Sequence, residues 1–126
     1  MLFRSSLHVP LGATTRHMFG ATELAMMKPS ALLINTCRGP VVDEVALHAA
    51  LAANKIAGAG LDVFDLEPTP VNNPLLKLPN VIASPHMAGV TVESIQGMAV
   101  VTAQNILGVL DSKPNADNAI NPEVFG

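Results

Sequence analysis

The chain has 126 residues, enough for one domain or part of one, of which 49% are hydrophobic and 13% charged. That charged share is about half the ~25% usual for a globular domain, so either much of the chain is buried strand or some apolar surface belongs against a partner. A formal charge of −3 supplies no basic stripe for a nucleic acid, and no apolar run approaches the ~18 residues of a membrane span. The single cysteine, Cys37, excludes an internal disulfide and suits a reducing, cytoplasmic compartment.

In chain order, Ser6–Pro10 (S-L-H-V-P) reads as the end of a strand whose loop opens at Pro10, and Thr14–Gly20 as a short helical turn. Thr22 is expected to cap a helix over Glu23–Met27, with Met26 and Met27 in its core, Lys28 in its last turn and Pro29 stopping it. Ala31–Thr36 follows as a strand. The stretch continues to Glu44 as A-L-L-I-N-T-C-R-G-P-V-V-D-E, the profile of a buried parallel strand delivering its carboxyl end into a loop, where ligands of open α/β sheets bind. Asp43 caps the next helix, whose apolar positions Val45, Ala46, Ala49, Ala50 and Ala53 recur at helical spacing until Asn54-Lys55 closes it.

Ile56–Phe64 (I-A-G-A-G-L-D-V-F) is a second full strand, in which Gly58 and Gly60 suit the close approach of a helix or another backbone. A Pro-rich loop, Asp65–Pro74, leads through an apolar turn at Leu75–Leu78 to a strand over Val81–Ser84, which ends at Pro85-His86. Thr91 starts a long helix with Glu93 in its first turn, running to about Leu110, and the Asn- and Pro-rich tail Asp111–Gly126 reads as irregular. This alternation predicts an α/β fold with a parallel sheet, with no repeat, no low-complexity block and no internal boundary visible in the pattern.

Parallel strands open all their carboxyl ends on one edge, which brings Arg38, Asp62, Glu67 and His86 to the same side. Taken singly, each has a plainer reading: a surface arginine, a turn-capping aspartate, a solvated loop carboxylate and a satisfied loop histidine. Cys37 beside Arg38 has the setting of an activated thiol, but no base lies close in sequence. His8, His17 and His48 have no such companions and read as structural.

The three stretches I-N-T-C-R-G-P-V-V-D-E, G-A-G-L-D-V-F-D-L-E-P and P-N-V-I-A-S-P-H-M-A-G, in this order and spacing, resemble the D-isomer-specific 2-hydroxyacid dehydrogenases. That family includes phosphoglycerate, glycerate, formate and D-lactate dehydrogenases and hydroxypyruvate reductases. The resemblance runs from L-H-V-P-L at Leu7 to N-P-E-V near the end. It implies a partial Rossmann-like parallel sheet with flanking helices, the second half of a doubly wound nucleotide-binding domain. Residues 1–110 would form the later part of the NAD(P)-binding domain with its crossover helix, and residues 111–126 a tail that in the family returns to the substrate domain.

The resemblance also implies hydride transfer between NAD, with NADP not excluded, and a small D-2-hydroxy or 2-keto acid, in a protein that is homodimeric at full length. Arg38 would bind the substrate's carboxylate and carbonyl oxygens through its planar fork. His86 would be the general acid in ketone reduction and the base in alcohol oxidation, hydrogen-bonded by Glu67. Asp62 matches the position that contacts the nicotinamide end of the cofactor. Thr36, Cys37 and Arg38, with His86, Met87, Ala88 and Gly89, match the segments lining the nicotinamide site, and Gly89 would let the backbone approach the cofactor. Val9 and Pro10 match the loop beside the adenosine half.

One departure is large. The sequence has no G-x-G-x-x-G with an acidic residue beyond it; Gly58–Gly60 lies inside a strand pattern and lacks the third glycine. The expectation is therefore a fragment of such an enzyme, inactive by itself. Two alternatives stand beside it: a non-catalytic, cofactor-sensing module like the corepressors that share the fold, and a decayed reading frame without function.

Overall fold

The protein's structure, a computed structural model, describes residues 2–125; Met1 and Gly126, the ends of the two segments expected above, lie outside the described residues. The elements are β1 (Leu2–Leu7), α1 (Ala21–Ala25), β2 (Met27–Asn35), α2 (Glu44–Ala52), β3 (Gly58–Leu61), β4 (Val81–Ala83) and α3 (Val92–Leu110). Single 3₁₀ turns occupy Gly39–Val41, Pro74–Lys77, Ala116–Asn118 and Pro122–Phe125. The chain forms two compact units, the first ending at Ala88 and the second beginning at Gly89.

In the first unit four parallel strands lie side by side in chain order, β1-β2-β3-β4. Their register sets Leu7, Asn35, Leu61 and Ala83 in one row across the sheet. The residues that follow this row leave the sheet on the same edge, as expected. One sheet face contributes Leu7, Ala31, Leu33, Ala59 and Leu61 to a core completed by Phe19, Leu24, Val41, Val42, Leu47, Leu51, Ile56, Phe64 and Leu75.

Several local expectations are corrected. β1 ends at Leu7, so its loop opens at His8 rather than at Pro10. Thr14–Gly20 is not a helix but a turn to His17 followed by Phe19, which bridges Val42 in parallel; the Thr15 hydroxyl accepts from the Gly12 amide at 2.8 Å and donates to the Pro10 carbonyl at 2.7 Å, which satisfies the backbone locally. α1 starts after Gly20, whose amide donates to the Glu23 carboxylate at 2.9 Å, and not after Thr22. It stops at Ala25. Met26 is exposed, and Met27 is a buried strand residue rather than helix core.

Lys28 and Pro29 accordingly belong to β2. From Leu2 to Arg4 the register advances two residues on β1 while β2 advances five, from Met27 to Leu32. Pro29 has no N–H to give a ladder, and this irregularity is where a strand tolerates it.

α2 is capped as expected, with Asp43 Oδ1 accepting from the Val45 and Ala46 amides at 2.9 and 3.0 Å. Its inward face differs. Leu47, Ala50 and Leu51 are buried, whereas Val45 is 80% exposed and Ala49 and Ala53 are exposed too. Alanines fit either face of a helix; the two leucines decide it.

β3 is shorter than Ile56–Phe64. Its last rung is the Asp62 amide donating to the Asn35 carbonyl at 2.9 Å, after which Val63 and Phe64 turn away while remaining buried. A Cβ on Gly58 would lie 2.8 Å from the Asn80 carbonyl oxygen, the close backbone approach expected there.

In the second unit, Thr91 and Ser94 form a reciprocal capping box: Thr91 Oγ1 accepts from the Ser94 amide at 3.1 Å and Ser94 Oγ accepts from the Thr91 amide at 2.9 Å. α3 ends where Lys113 N–H donates to the Gly108 carbonyl at 2.7 Å. The tail is not wholly irregular, since it holds two of the 3₁₀ turns and Asn118 Nδ2 reaches back to Asn105 Oδ1 at 2.9 Å. Among the described residues no helix is long and apolar enough to cross a membrane.

The inward face of α2 can be tested directly. Leu47, 1% exposed, when changed to Ala should cost roughly 2–5 kcal/mol in denaturant unfolding, whereas Val45→Ala should stay within about 0.5 kcal/mol. Equal costs would contradict the face described.

Candidate active site

Each strand of the row feeds one piece of the site. After β1, Val9 and Pro10 meet Thr36, Cys37 and Arg38 from the end of β2 around a cavity of about 460 Å³, also lined by His8 and Leu11. The turn at the end of β2 is organised by Asn35, which is buried. Its Oδ1 accepts from the Cys37 amide and from the Cys37 thiol, both at 3.1 Å, and its Nδ2 donates to the Arg38 carbonyl at 2.9 Å. Arg38 is exposed, with Nη1 donating to the Cys37 carbonyl at 2.6 Å, which leaves most of its fork open.

Gly39 explains how the next loop comes so near. A Cβ there would lie 1.9 Å from the Phe64 carbonyl carbon and 2.5 Å from the Asp65 nitrogen, so no side chain is tolerated. The backbone beside Arg38 thus lies flat against the peptide that opens the Glu67 loop.

Asp62 is 3% exposed. Its Oδ1 accepts from the Ser84 hydroxyl at 2.5 Å and the Met87 amide at 2.8 Å, and its Oδ2 accepts from the Ala88 amide at 2.8 Å. Its own carbonyl takes the His86 amide at 2.8 Å. Burial by itself would raise the Asp62 carboxyl, but the Ser84 hydroxyl, the Ala88 and Met87 amides and the nearby His86 outweigh it and hold the group below its ordinary value. The carboxylate therefore binds the whole 84–88 turn, in which His86 takes a left-handed backbone with φ 55°. That conformation is uncommon for a residue with a Cβ, and the bonds on both sides of it hold it there.

So held, His86 Nδ1 lies 2.7 Å from Glu67 Oε2. Glu67 Oε1 accepts from the Phe64 amide at 2.9 Å. Burial opposes ionisation of Glu67, yet the His86 hydrogen bond, the Phe64 amide and the charges of His86 and Arg38 bring its pKa below the ordinary value. An ionised carboxylate only accepts, so Nδ1–H is the donor and Nε2 is the ring nitrogen left over. Asp62, Glu67 and His86 line one cavity of about 730 Å³ with apolar walls from Phe64, Pro68, Leu76, Ala83 and Pro85.

Of the residues singled out in the sequence, the structure brings Glu67 and His86 into contact, sets Asp62 beneath them and places Arg38 on the neighbouring cavity, near enough for its charge to act on Glu67. Val9 and Pro10 join the Arg38 side. Met87 and Ala88 commit their amides to Asp62, and a Cβ on Gly89 would meet no protein atom within 4 Å. His8, His17 and His48 stay apart from the pair; His8 Nε2 meets the Ser6 hydroxyl at 2.7 Å. Among the described residues no group of His, Cys, Asp or Glu has the makings of a metal site.

Three organising residues escaped the sequence reading. Asn35 carried the usual signal, an Asn at a strand end turning its own backbone. Gly39 and Ser84 carried none, because their partners are distant in sequence.

Comparisons with known proteins show the family and the fold. A family model described as D-isomer specific 2-hydroxyacid dehydrogenase, NAD binding domain, matches residues 5–88. Glyoxylate/hydroxypyruvate reductase B of Citrobacter koseri is 50% identical over 120 residues, covering 95% of this chain and 37% of that protein. The chain thus spans little more than a third of the length of that relative. A D-lactate dehydrogenase with NAD⁺ from Lactobacillus jensenii superposes with a TM-score of 0.80 at 34% identity, over 87% of this chain and 37% of that one. A D-isomer specific 2-hydroxyacid dehydrogenase from Xanthobacter autotrophicus in complex with NADPH and MES superposes with a TM-score of 0.75 at 37% identity, over 98% of this chain and 50% of that one.

The pH dependence of stability follows from the two depressed carboxyl groups. Each contributes stability that is fully present above the ordinary carboxylate range and is lost as pH falls through its lowered folded-state pKa. The denaturant midpoint should therefore drop on acidification below about pH 4. Asp62→Asn should flatten part of that drop and lower the plateau, because an amide has one acceptor oxygen for three donors. A variant with the acid profile of the parent would remove Asp62 as its source.

Proposed function

The chain belongs to the D-isomer specific 2-hydroxyacid dehydrogenase family, whose NAD-binding-domain model covers residues 5–88, and on that premise we propose that it supplies the carboxyl-edge residues for hydride transfer between a nicotinamide dinucleotide and a small D-2-hydroxy or 2-keto acid. The observation that carries the reading is the 2.7 Å His86 Nδ1–Glu67 Oε2 contact at the carboxyl edge of a parallel sheet. Residues 1–110 would be the later part of the cofactor domain with its crossover helix, and residues 111–126 the tail towards a substrate domain.

The residues present fit the nicotinamide half of the cofactor. Thr36, Cys37 and Arg38, the nicotinamide-side segment, share with Val9 and Pro10, the loop read as beside the adenosine half, a cavity of about 460 Å³, in the range of small-ligand sites, roughly 300–1,000 Å³. Asp62 would act at the nicotinamide end by holding the backbone of Met87 and Ala88 in place. When bound, the cofactor supplies or accepts the hydride.

The chain's own residues handle orientation and the proton. Arg38 grips the substrate carboxylate through its free guanidinium edge, as a planar fork does. With Nδ1–H committed to Glu67, His86 delivers its proton from Nε2 to the carbonyl oxygen in reduction and takes it from the hydroxyl in oxidation. Glu67 keeps the imidazole in that tautomer and orientation.

Glyoxylate and hydroxypyruvate are the substrates proposed from the reductase relatives, with NAD or NADP as cofactor and homodimerisation at full length. The free thiol of Cys37 accords with a cytoplasmic setting. The corepressor-like alternative finds no support in the relatives named above.

A segment exchange tests the reading. This chain, substituted for the matching segment of the Citrobacter koseri reductase, should restore NAD(P)H-dependent reduction of glyoxylate or hydroxypyruvate. In that chimera His86→Ala should lower kcat roughly 10²–10⁴-fold, the usual loss for a general acid. The 126-residue chain alone, having no G-x-G-x-x-G to hold the pyrophosphate, should show no turnover. A folded chimera without activity, or one indifferent to His86→Ala, would overturn the proposal.

A further inference from the structure

We propose that Glu44, the first residue of α2, is a positioning residue for the His86–Glu67 pair, acting through the loop that carries Glu67. The inference rests on the reading of that pair given above, and Glu44 touches neither member of it. Its carboxylate instead grips both ends of the intervening loop. Oε1 accepts from the Asp65 amide at 2.6 Å, 21 residues away, and Oε2 accepts from Asn73 Nδ2 at 3.1 Å, 29 residues away.

Neither contact is free to rearrange. Asn73 Oδ1 already accepts from the Leu75 amide at 2.9 Å, so the NH₂ side of Asn73 is the one turned to Glu44. The Asp65 amide belongs to the same peptide unit as the Phe64 carbonyl, against which Gly39 packs without room for a Cβ. One residue earlier, the Phe64 amide donates to Glu67 Oε1 at 2.9 Å. Two consecutive amides are thus taken by two carboxylates: Phe64 by Glu67 from within the loop and Asp65 by Glu44 from the helix. The two peptides meet at the Phe64 Cα, so displacing the Asp65 amide from Glu44 would shift the adjoining Phe64 amide that holds Glu67, and with it the oxygen that meets His86. Burial of Asp65, and then the adjacent Glu44, push the Asp65 carboxyl above its ordinary value.

An acidic residue at a helix start also interacts favourably with the helix dipole, and that role alone would be purely structural. Glu44→Asp separates the two roles, because it keeps the charge at the helix start but is one methylene too short for the Asp65 amide. Glu44→Gln keeps an acceptor for that amide without the charge. The readout is the ¹⁵N–¹H spectrum of His86 in the ¹⁵N-histidine-labelled 126-residue chain, with the solvent exchange of its Nδ1 proton; Glu67→Ala serves as the reference for a lost partner.

Glu44→Asp and Glu44→Ala should speed that exchange roughly tenfold, as the loss of one hydrogen bond does, and move the spectrum towards that of Glu67→Ala. Glu44→Gln, whose NH₂ would face that of Asn73, should fall between the parent and Glu44→Asp. If Glu44→Ala fails to fold, Glu44→Asp decides alone. Parent-like spectra in Glu44→Asp, beside an altered Glu67→Ala, would overturn the proposal. The spectrum is independent of turnover, so failure of the hydride-transfer reading shows in the chimera and failure of this one in the histidine.

Discussion

A carboxylate taken out of water must be met by donors, and at Asp62 that requirement shapes the site. The group is 3% exposed, and three donors satisfy it, all from residues 84–88. Their geometry closes the chain after β4 into a turn that holds His86 in a left-handed conformation. The position of the imidazole is thus a consequence of a buried charge being neutralised, not of any preference local to P-H-M-A.

The other half of the pair is held from the opposite direction. Gly39 lets the loop after β2 lie directly on the Phe64–Asp65 peptide, and Glu44 binds the amide of the same peptide. Glu67 is consequently fixed by the loop that also presents Arg38. Three strand ends are coupled by hydrogen bonds and contact into one arrangement, although the His86–Glu67 pair itself is about half exposed, at 48% and 36% of its side-chain surfaces. A hydrogen-bonded pair this open to water contributes little stability by itself. Its orientation comes from the buried groups around it.

The alternation of strands and helices and the residues at the strand ends were legible in the chain. Apolar runs at Ala31–Ile34 and Val81–Ala83, the cap at Asp43 and the cap at Thr91 all lie where the pattern puts them. Errors fell where two local signals competed. Pro29 looked like a helix stop and is a strand irregularity. An alanine-rich helix offered two possible faces, and Leu47 and Leu51 chose between them.

What the sequence by itself determined is the parallel α/β rhythm and the delivery of Arg38, Asp62, Glu67 and His86 to one edge. Both follow from strand direction and hydrophobic spacing, which are properties of short stretches. What the tertiary structure alone decided is how those residues are aimed. Asp62 turns to bind a segment more than 20 residues away, Glu44 reaches across to Asp65 and Asn73, and Gly39 admits a foreign backbone. Hydrogen-bond direction and close packing depend on which distant atoms arrive at the same place, and no spacing along the chain encodes that arrival.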